Sequence, residues 1–145
     1  MSTGVTEHSW TVVVPHHASA ARFARHRLAA VLQGLVPADL LADSVAVVAE
    51  LVGNAVRHAD PLPGGVVRVA WHLGLGGLEI RVTDGGAPSP PVARVAGTDA
   101  VDGRGLAIVA ALALRWGVER DSVGQCVWAA LGHTASNGSS GLRVE

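Results

Sequence analysis

Two carboxylates, one amide and a group of glycines stand out along this chain as side chains and backbone able to handle a phosphorylated nucleotide. Glu50 and Asn54, in Glu50-Leu-Val-Gly-Asn54, are four residues apart in a helical stretch and so lie one above the other on one helix face. Mg²⁺ keeps several waters and takes one or two protein oxygens beside substrate phosphates, so a single Asn amide oxygen is chemically sufficient. Glu50, one turn away, could orient or deprotonate an attacking hydroxyl. Asp84, in Asp84-Gly-Gly86 at a strand end, offers an acceptor for an adenine amine, and Gly86 lets the ring approach the backbone. Guanine would present a carbonyl there instead, so the carboxylate discriminates. Gly103-Arg-Gly105-Leu106 opens a second helix whose free amides and dipole suit phosphate, with Arg104 either touching phosphate or pointing to water. The order and spacing of the three motifs point to an ATP site, because a helix, a strand end and a second helix start must converge on one nucleotide.

Each motif also has a plainer reading. Glu50 and Asn54 are residues an amphipathic helix ordinarily shows to solvent, Asp84-Gly85 is a common hairpin turn, and Gly-x-Gly belongs to flexible loops. Gly53 weighs against the first, since a mid-helix Gly costs about 1 kcal/mol relative to Ala and is easier to understand if something approaches the backbone there. The chain after Gly86 weighs against the second: it runs through Ala-Pro-Ser-Pro-Pro91 and eleven more residues before a helix, so no return strand completes a hairpin. His58, in a last helical turn, is accounted for by the helix dipole, and His16-His17 lack further ligands for a metal.

The elements that must position these groups are legible in outline. Trp10 to Val14 reads as a strand stopped by Pro15, and Ala18 to Leu35 as a helix with Ala21, Ala24, Leu28, Val31, Leu32 and Leu35 at helical spacing. Its other face carries Arg22, Arg25, His26 and Arg27, a solvated face or a docking surface for an acidic partner. Pro37 sits where a helix takes its first residue, and the stripe Val45, Val48, Val52, Ala55, Ala59 sustains that helix to about His58, with Glu50 and Asn54 on the opposite face. Val66 to Leu73 and Leu78 to Thr83 predict a hairpin around Gly74 to Gly77. Ala87 to Asp102 is irregular, Leu106 to Leu114 forms a helix apolar on nearly every side, and Asp102 could cap it. Trp116 to Arg120 and Gln125 to Leu131 predict a final hairpin around Asp121 to Gly124. The order predicts an α+β two-layer sandwich, a mixed, mostly antiparallel sheet covered on one face by three helices, with residues 1–9 flexible, 10–131 a single domain and 132–145 a disordered tail.

Composition narrows the function classes. The chain has 145 residues, 49% hydrophobic and 16% charged, enough for one core of Val, Leu and Ala. A net charge of -1 without a basic run gives no footprint for nucleic acid. All eleven basic residues are Arg, and the absence of Lys excludes a Walker-type phosphate loop. The lone Cys126 forms no internal disulfide and no zinc cluster, and no segment is long and apolar enough to span a membrane, so a cytoplasmic protein is expected.

Taken together, these motifs resemble the gyrase and histidine-kinase ATPase superfamily with its Bergerat fold, and most of all its short branch of anti-sigma-factor serine/threonine kinases. The resemblance covers residues 10 to 131: Glu50-Leu-Val-Gly-Asn54-Ala-Val-Arg-His-Ala59 is similar to the N box, Asp84-Gly-Gly86-Ala-Pro88 to the adenine motif, and Gly103-Arg-Gly105-Leu-Ala-Ile-Val109 to the second glycine motif. It implies that Asn54 binds Mg²⁺, Glu50 is the general base, Asp84 with Gly86 holds adenine, Gly103, Arg104, Gly105 and Leu106 receive the phosphates, and Pro88 to Asp102 is a lid. It further implies a homodimer that binds a sigma factor and phosphorylates a Ser or Thr of an antagonist protein; a non-catalytic, nucleotide-dependent binding switch is the alternative. A histidine kinase fits less well, for want of a dimerisation helix with a phosphoacceptor His. Two departures are visible: Gly124-Gln-Cys126-Val-Trp128 places Cys where the family commonly offers Thr near adenine, and the lid carries few charges, Arg94, Asp99 and Asp102.

Overall fold

Alternation of side chains builds the sheet. In β2 (Val66–Gly74) Val67, Val69 and Trp71 are buried while Arg68 is exposed, and in β3 (Gly77–Asp84) Leu78, Ile80, Val82 and Asp84 are buried. The two pair antiparallel and turn at Gly74↔Gly77, as the glycines predict. The protein is seen here in a computed structural model that describes residues 7–86 and 104–132. β1 (His8–Pro15) lies beside β2, and β4 (Arg115–Arg120) and β5 (Gln125–Leu131) form the second hairpin, with Asp121 Oδ1 accepting from the N–H groups of Val123 and Gly124 at 2.8 and 3.0 Å. The sheet order is β1-β2-β3-β5-β4, and every neighbouring pair is antiparallel. β1 begins two residues before the expected Trp10, because His8 and Ser9 continue the ladder opposite Leu73 and His72.

Three helices among the described residues cover one face of this sheet, so the expected α+β two-layer arrangement is the observed one. α1 (Ala20–Leu32) buries Ala20, Ala24, Leu28 and Leu32. It stops three residues before the expected Leu35, because Gly34 turns the chain at φ +87° and leaves Leu35 outside the helix and exposed. α2 (Ala38–His58) packs on α1, on the sheet and on the helix Arg104–Leu112. Pro37 is its N-cap rather than its first residue, and its buried stripe is Ser44, Val47, Val48, Leu51, Val52 and Ala55. Ala59 has already left the helix, and Val45 is only half-buried.

α3 (Arg104–Leu112) is shifted from the expected Leu106 to Leu114. The Leu114 N–H donates to the Ala130 carbonyl at 2.8 Å, so the chain has joined the sheet by that point. Nor is this helix buried all round: Val109 is enclosed and Leu106 and Leu112 pack on the core, while Ala107, Ile108, Ala110 and Ala111 are exposed. The sheet face away from the helices carries Arg68, Arg81 and Trp128, with Arg81 paired to Glu119 and Arg115 over the Trp128 ring at 5.8 Å.

Candidate functional site

The end of β3 is where the chain's ends of elements converge. The Gly85 N–H donates to the Asp60 carbonyl at 2.7 Å, and the Asp60 N–H donates to the Gly86 carbonyl at 2.9 Å. These two bonds fasten the segment leaving α2 to the segment leaving β3. From the end of β1, His16 Nε2 reaches the Ala59 carbonyl at 2.8 Å. The β4–β5 turn closes the fourth side, so tightly that a Cβ on Gly124 would stand 2.0 Å from the Asp84 carbonyl oxygen and one on Gly85 2.3 Å from that of Pro61. Backbone therefore packs on backbone here, and only glycine fits.

Asp84 is held at the centre of this junction, 2% exposed. Its Oδ1 accepts the Gly86 N–H at 2.7 Å, and Gly86 makes that turn possible at φ +87°. Burial pushes the carboxyl up to about 6, against the pull of the Gly86 N–H and of the Arg120 and His16 charges, while Asp60 adds to the rise. A carboxylate desolvated to this degree with one oxygen already bonded has its other oxygen to offer a ligand donor.

Cys126 is not beside it. The ladder pairs Thr83 with Cys126 and Asp84 with Gln125, so Cys126 lies on the sheet face away from the helices and Gln125 is the residue next to Asp84. The expected place of Cys126 near a base is corrected accordingly; burial raises its thiol pKa, with Thr83 and Arg81 acting in the opposite direction. Arg120, cross-strand from Gln125, donates to Gln125 Oε1 at 2.6 Å. Arg120, Gln125, Gly124 and Asp60 are not legible as site residues, because the register of β3 against β5 brings the first three there and the exit of the chain from α2 brings Asp60.

Glu50 and Asn54 are both half-buried and flank the buried stripe of α2 instead of facing straight away from it. Four residues at about 1.5 Å each put them one turn apart along the axis, about 6 Å. Arg57 Nη2 donates to Asn54 Oδ1 at 3.0 Å, and a Cβ on Gly53 would lie 3.0 Å from Arg57 Nη1. What approaches the backbone at Gly53 is thus the Arg57 guanidinium. The amide oxygen already holds a cationic donor, which fits a role towards Mg²⁺ arriving with phosphates; no group of three or more His, Cys, Asp or Glu among the described residues could cage a metal unaided. His58 is exposed in the last turn of α2, and His17 bonds Ser19, so the two loop histidines engage different partners. Arg104 and Gly105 begin α3, and Leu106 packs against the core. Gly103 and the expected lid, Pro88 to Asp102, lie outside the described residues, as do 1–6 and 133–145.

Asp60, two residues past the end of α2, bonds the two glycines that follow Asp84; Asn54 lies one turn before the end of α2 and Glu50 one turn farther. No helix among the described residues is long and apolar enough to cross a membrane. The fold is similar to that of a solved chain holding the RsbU and RsbW domains of Rv1364c from Mycobacterium tuberculosis, with a TM-score of 0.66 and 21% identity over 88% of this chain and 33% of that one. The present chain thus spans about a third of the length of that structure's chain. No curated protein matches it by sequence. The model of the histidine kinase-like ATPase domain matches residues 14–131, which include the whole junction and the Glu50–Asn54 row, and the chain belongs to that family.

Proposed function

We propose that this chain is an ATP-binding regulator that transfers the γ-phosphoryl group of ATP to a Ser or Thr hydroxyl of an antagonist protein and, in its other state, holds a sigma factor. Support for the nucleotide comes from family membership and, above all, from Asp84: a buried carboxylate with one oxygen tied to its own turn and the other available to an adenine amine. Gly86 admits the ring, and the start of α3 at Arg104, with Gly103, Gly105 and Leu106, receives the phosphates through helix amides. Asn54 Oδ1 would hold Mg²⁺, which when bound neutralises phosphate charge. Likeness to a chain that contains an RsbW domain accords with a partner-switching setting; the cytoplasmic homodimer is proposed from the resemblance of the sequence motifs to anti-sigma-factor kinases.

Transfer is the role for which Glu50 is proposed. As the acceptor hydroxyl oxygen forms its bond to the γ-phosphorus, the bond from that phosphorus to the ADP oxygen breaks, and the hydroxyl proton passes to the Glu50 carboxylate. Nucleotide binding alone has no use for such a base. Incubation with labelled ATP and a cellular extract is expected to label one small protein. With that acceptor in hand, Glu50→Gln keeps nucleotide affinity and slows transfer by about a hundredfold or more. A normal rate in Glu50→Gln removes Glu50 as the base. Partner binding that changes with ATP while the native chain yields no labelled product makes the protein a non-catalytic switch instead. If saturating Mg-ATP leaves the melting temperature unchanged, the nucleotide reading itself fails.

A further inference from the structure

Asp84, Gln125 and Arg120 stand side by side across β3, β5 and β4. Arg120 belongs to the outermost of these strands, yet its guanidinium is carried inward: Nη1 bonds Gln125 Oε1 at 2.6 Å, and Nη2 stands 4.0 Å from the place of a Cβ on Gly86. The charge therefore stands beside Gly86, whose N–H holds the Asp84 carboxylate. Its holder matters as much as its position. Gln125 is a neutral amide, so it fixes the guanidinium without cancelling its charge, and Glu119, the neighbouring acid on β4, is engaged with Arg81 on the opposite sheet face.

The carboxylate needs that field. Ionised, Asp84 accepts from an exocyclic amine with a fully charged oxygen; once protonated it keeps one weaker carbonyl acceptor and sets an O–H donor beside the amine. The groups facing it are Arg120 from β4, His16 from the segment after β1 and Asp60 from the segment after α2, with the Gly86 N–H from its own turn. Burial opposes ionisation most strongly and Asp60 adds to it, while the Gly86 N–H first, then Arg120 and His16, favour the charged form. Arg120 is the one of these that stays charged at every pH at which the protein is folded.

We infer that Arg120, held in place by Gln125, is a positioning residue that keeps Asp84 ionised as the acceptor for the purine amine and so maintains selectivity for adenine at neutral pH. This inference rests on the reading of Asp84 as the adenine acceptor. It predicts a pH profile, which a merely structural role would not move. With Asp84 at about 6 in the native chain, affinity for ADP falls as the pH drops through that value. Arg120→Gln removes the charge, and Gln125→Glu preserves the bond to Arg120 while neutralising it; both raise the midpoint above the native one. Arg120→Lys, which keeps the charge, stays near the native midpoint.

The experiment is calorimetric titration of the native chain and the three variants with ADP from pH 5 to 9, repeated with the ADP analogue that lacks the 6-amino group. The analogue gives Asp84 no proton to accept and is expected not to lose affinity as the pH falls in any variant. An upward-shifted midpoint for ADP alone in Arg120→Gln and Gln125→Glu supports the inference. A midpoint that stays at the native value in both variants overturns it, and so does an equal shift for ADP and the analogue, which would place the effect on the phosphates. If the native chain binds ADP at no pH, the adenine-site reading falls first and takes the inference with it.

Discussion

The junction at the end of β3 and the α2 flank are built from opposite materials. At the first, main chain lies on main chain: Gly85 and Gly124 touch the carbonyls of Pro61 and Asp84, and paired bonds join Asp60 to Gly85 and Gly86. At the second, Glu50, Asn54 and Arg57 project from a regular helix, half-buried or exposed, and the contact between Asn54 and Arg57 is made by side-chain ends. A backbone junction has one geometry or none, whereas a helix-surface row can exchange partners without moving the helix. The proposed division of labour follows from this difference: selectivity for the base is assigned to the rigid end, and cation handling and proton transfer to the adjustable one.

The largest effect is therefore expected at the junction. Gly124→Ala places a methyl group 2.0 Å from a carbonyl oxygen that two paired strands hold still, so β5 must separate from β3 or the turn must rebuild. A loss of more than about 3 kcal/mol in urea unfolding is expected, with Gly85→Ala close behind because its contact is also with backbone. A loss below about 1 kcal/mol would show that the junction yields, and the contrast with the flank would disappear.

That contrast also explains what could be read from the chain beforehand. The flank was legible because helical periodicity acts over four residues: Glu50 and Asn54 share a face whatever surrounds them. Both hairpins were legible from local turn chemistry at Gly74–Gly77 and Asp121–Gly124. The junction was legible only as Asp84 and its glycines. Gln125, Arg120 and Asp60 arrive there through the pairing of β3 with β5 and through the exit angle of α2, which are long-range choices of packing. Cys126 shows how sharp the distinction is, since a register one residue different would exchange it with Gln125 beside Asp84. The helix ends were misplaced for a related reason: at Leu35 and Leu114 a turn or a sheet bond captured the backbone while the side-chain pattern still read as helix.

Next in size is the effect of the buried charge on the empty protein. The folded chain holds the Asp84 proton to about pH 6, above the ordinary carboxyl value of 3.8, so it binds that proton more tightly than the unfolded chain does. Stability from this group is accordingly present in full below about pH 4 and declines as the pH rises through 6, by on the order of 2 kcal/mol. Asp84→Asn removes the penalty. Without ligand it is expected to match the native chain near pH 4, to exceed it by about 1–2 kcal/mol at pH 8, and to gain no melting temperature from ADP. If Asp84→Asn is instead the less stable form at pH 8, the ionised carboxylate helps to hold the junction together, and backbone packing alone does not account for its rigidity.

The smallest effects belong to the flank, and their sign is the informative part. Arg57→Ala removes one exposed helix-surface bond to Asn54, a loss of about 0.2–0.5 kcal/mol. Gly53→Ala brings a methyl group 3.0 Å from Arg57 Nη1, the far end of a flexible side chain that can swing into solvent. Against that displacement stands the gain of replacing a mid-helix glycine by alanine, about 1 kcal/mol. Gly53→Ala should therefore stabilise the chain by about 0.5 kcal/mol while freeing the Asn54 oxygen, and in an Arg57→Ala background the gain should approach the full propensity difference. The four forms can be compared by urea unfolding. A Gly53→Ala variant destabilised by several kcal/mol would mean that Arg57 is locked over the helix as firmly as Gly124 is locked over β3, leaving the flank no freedom to trade a guanidinium for a metal ion.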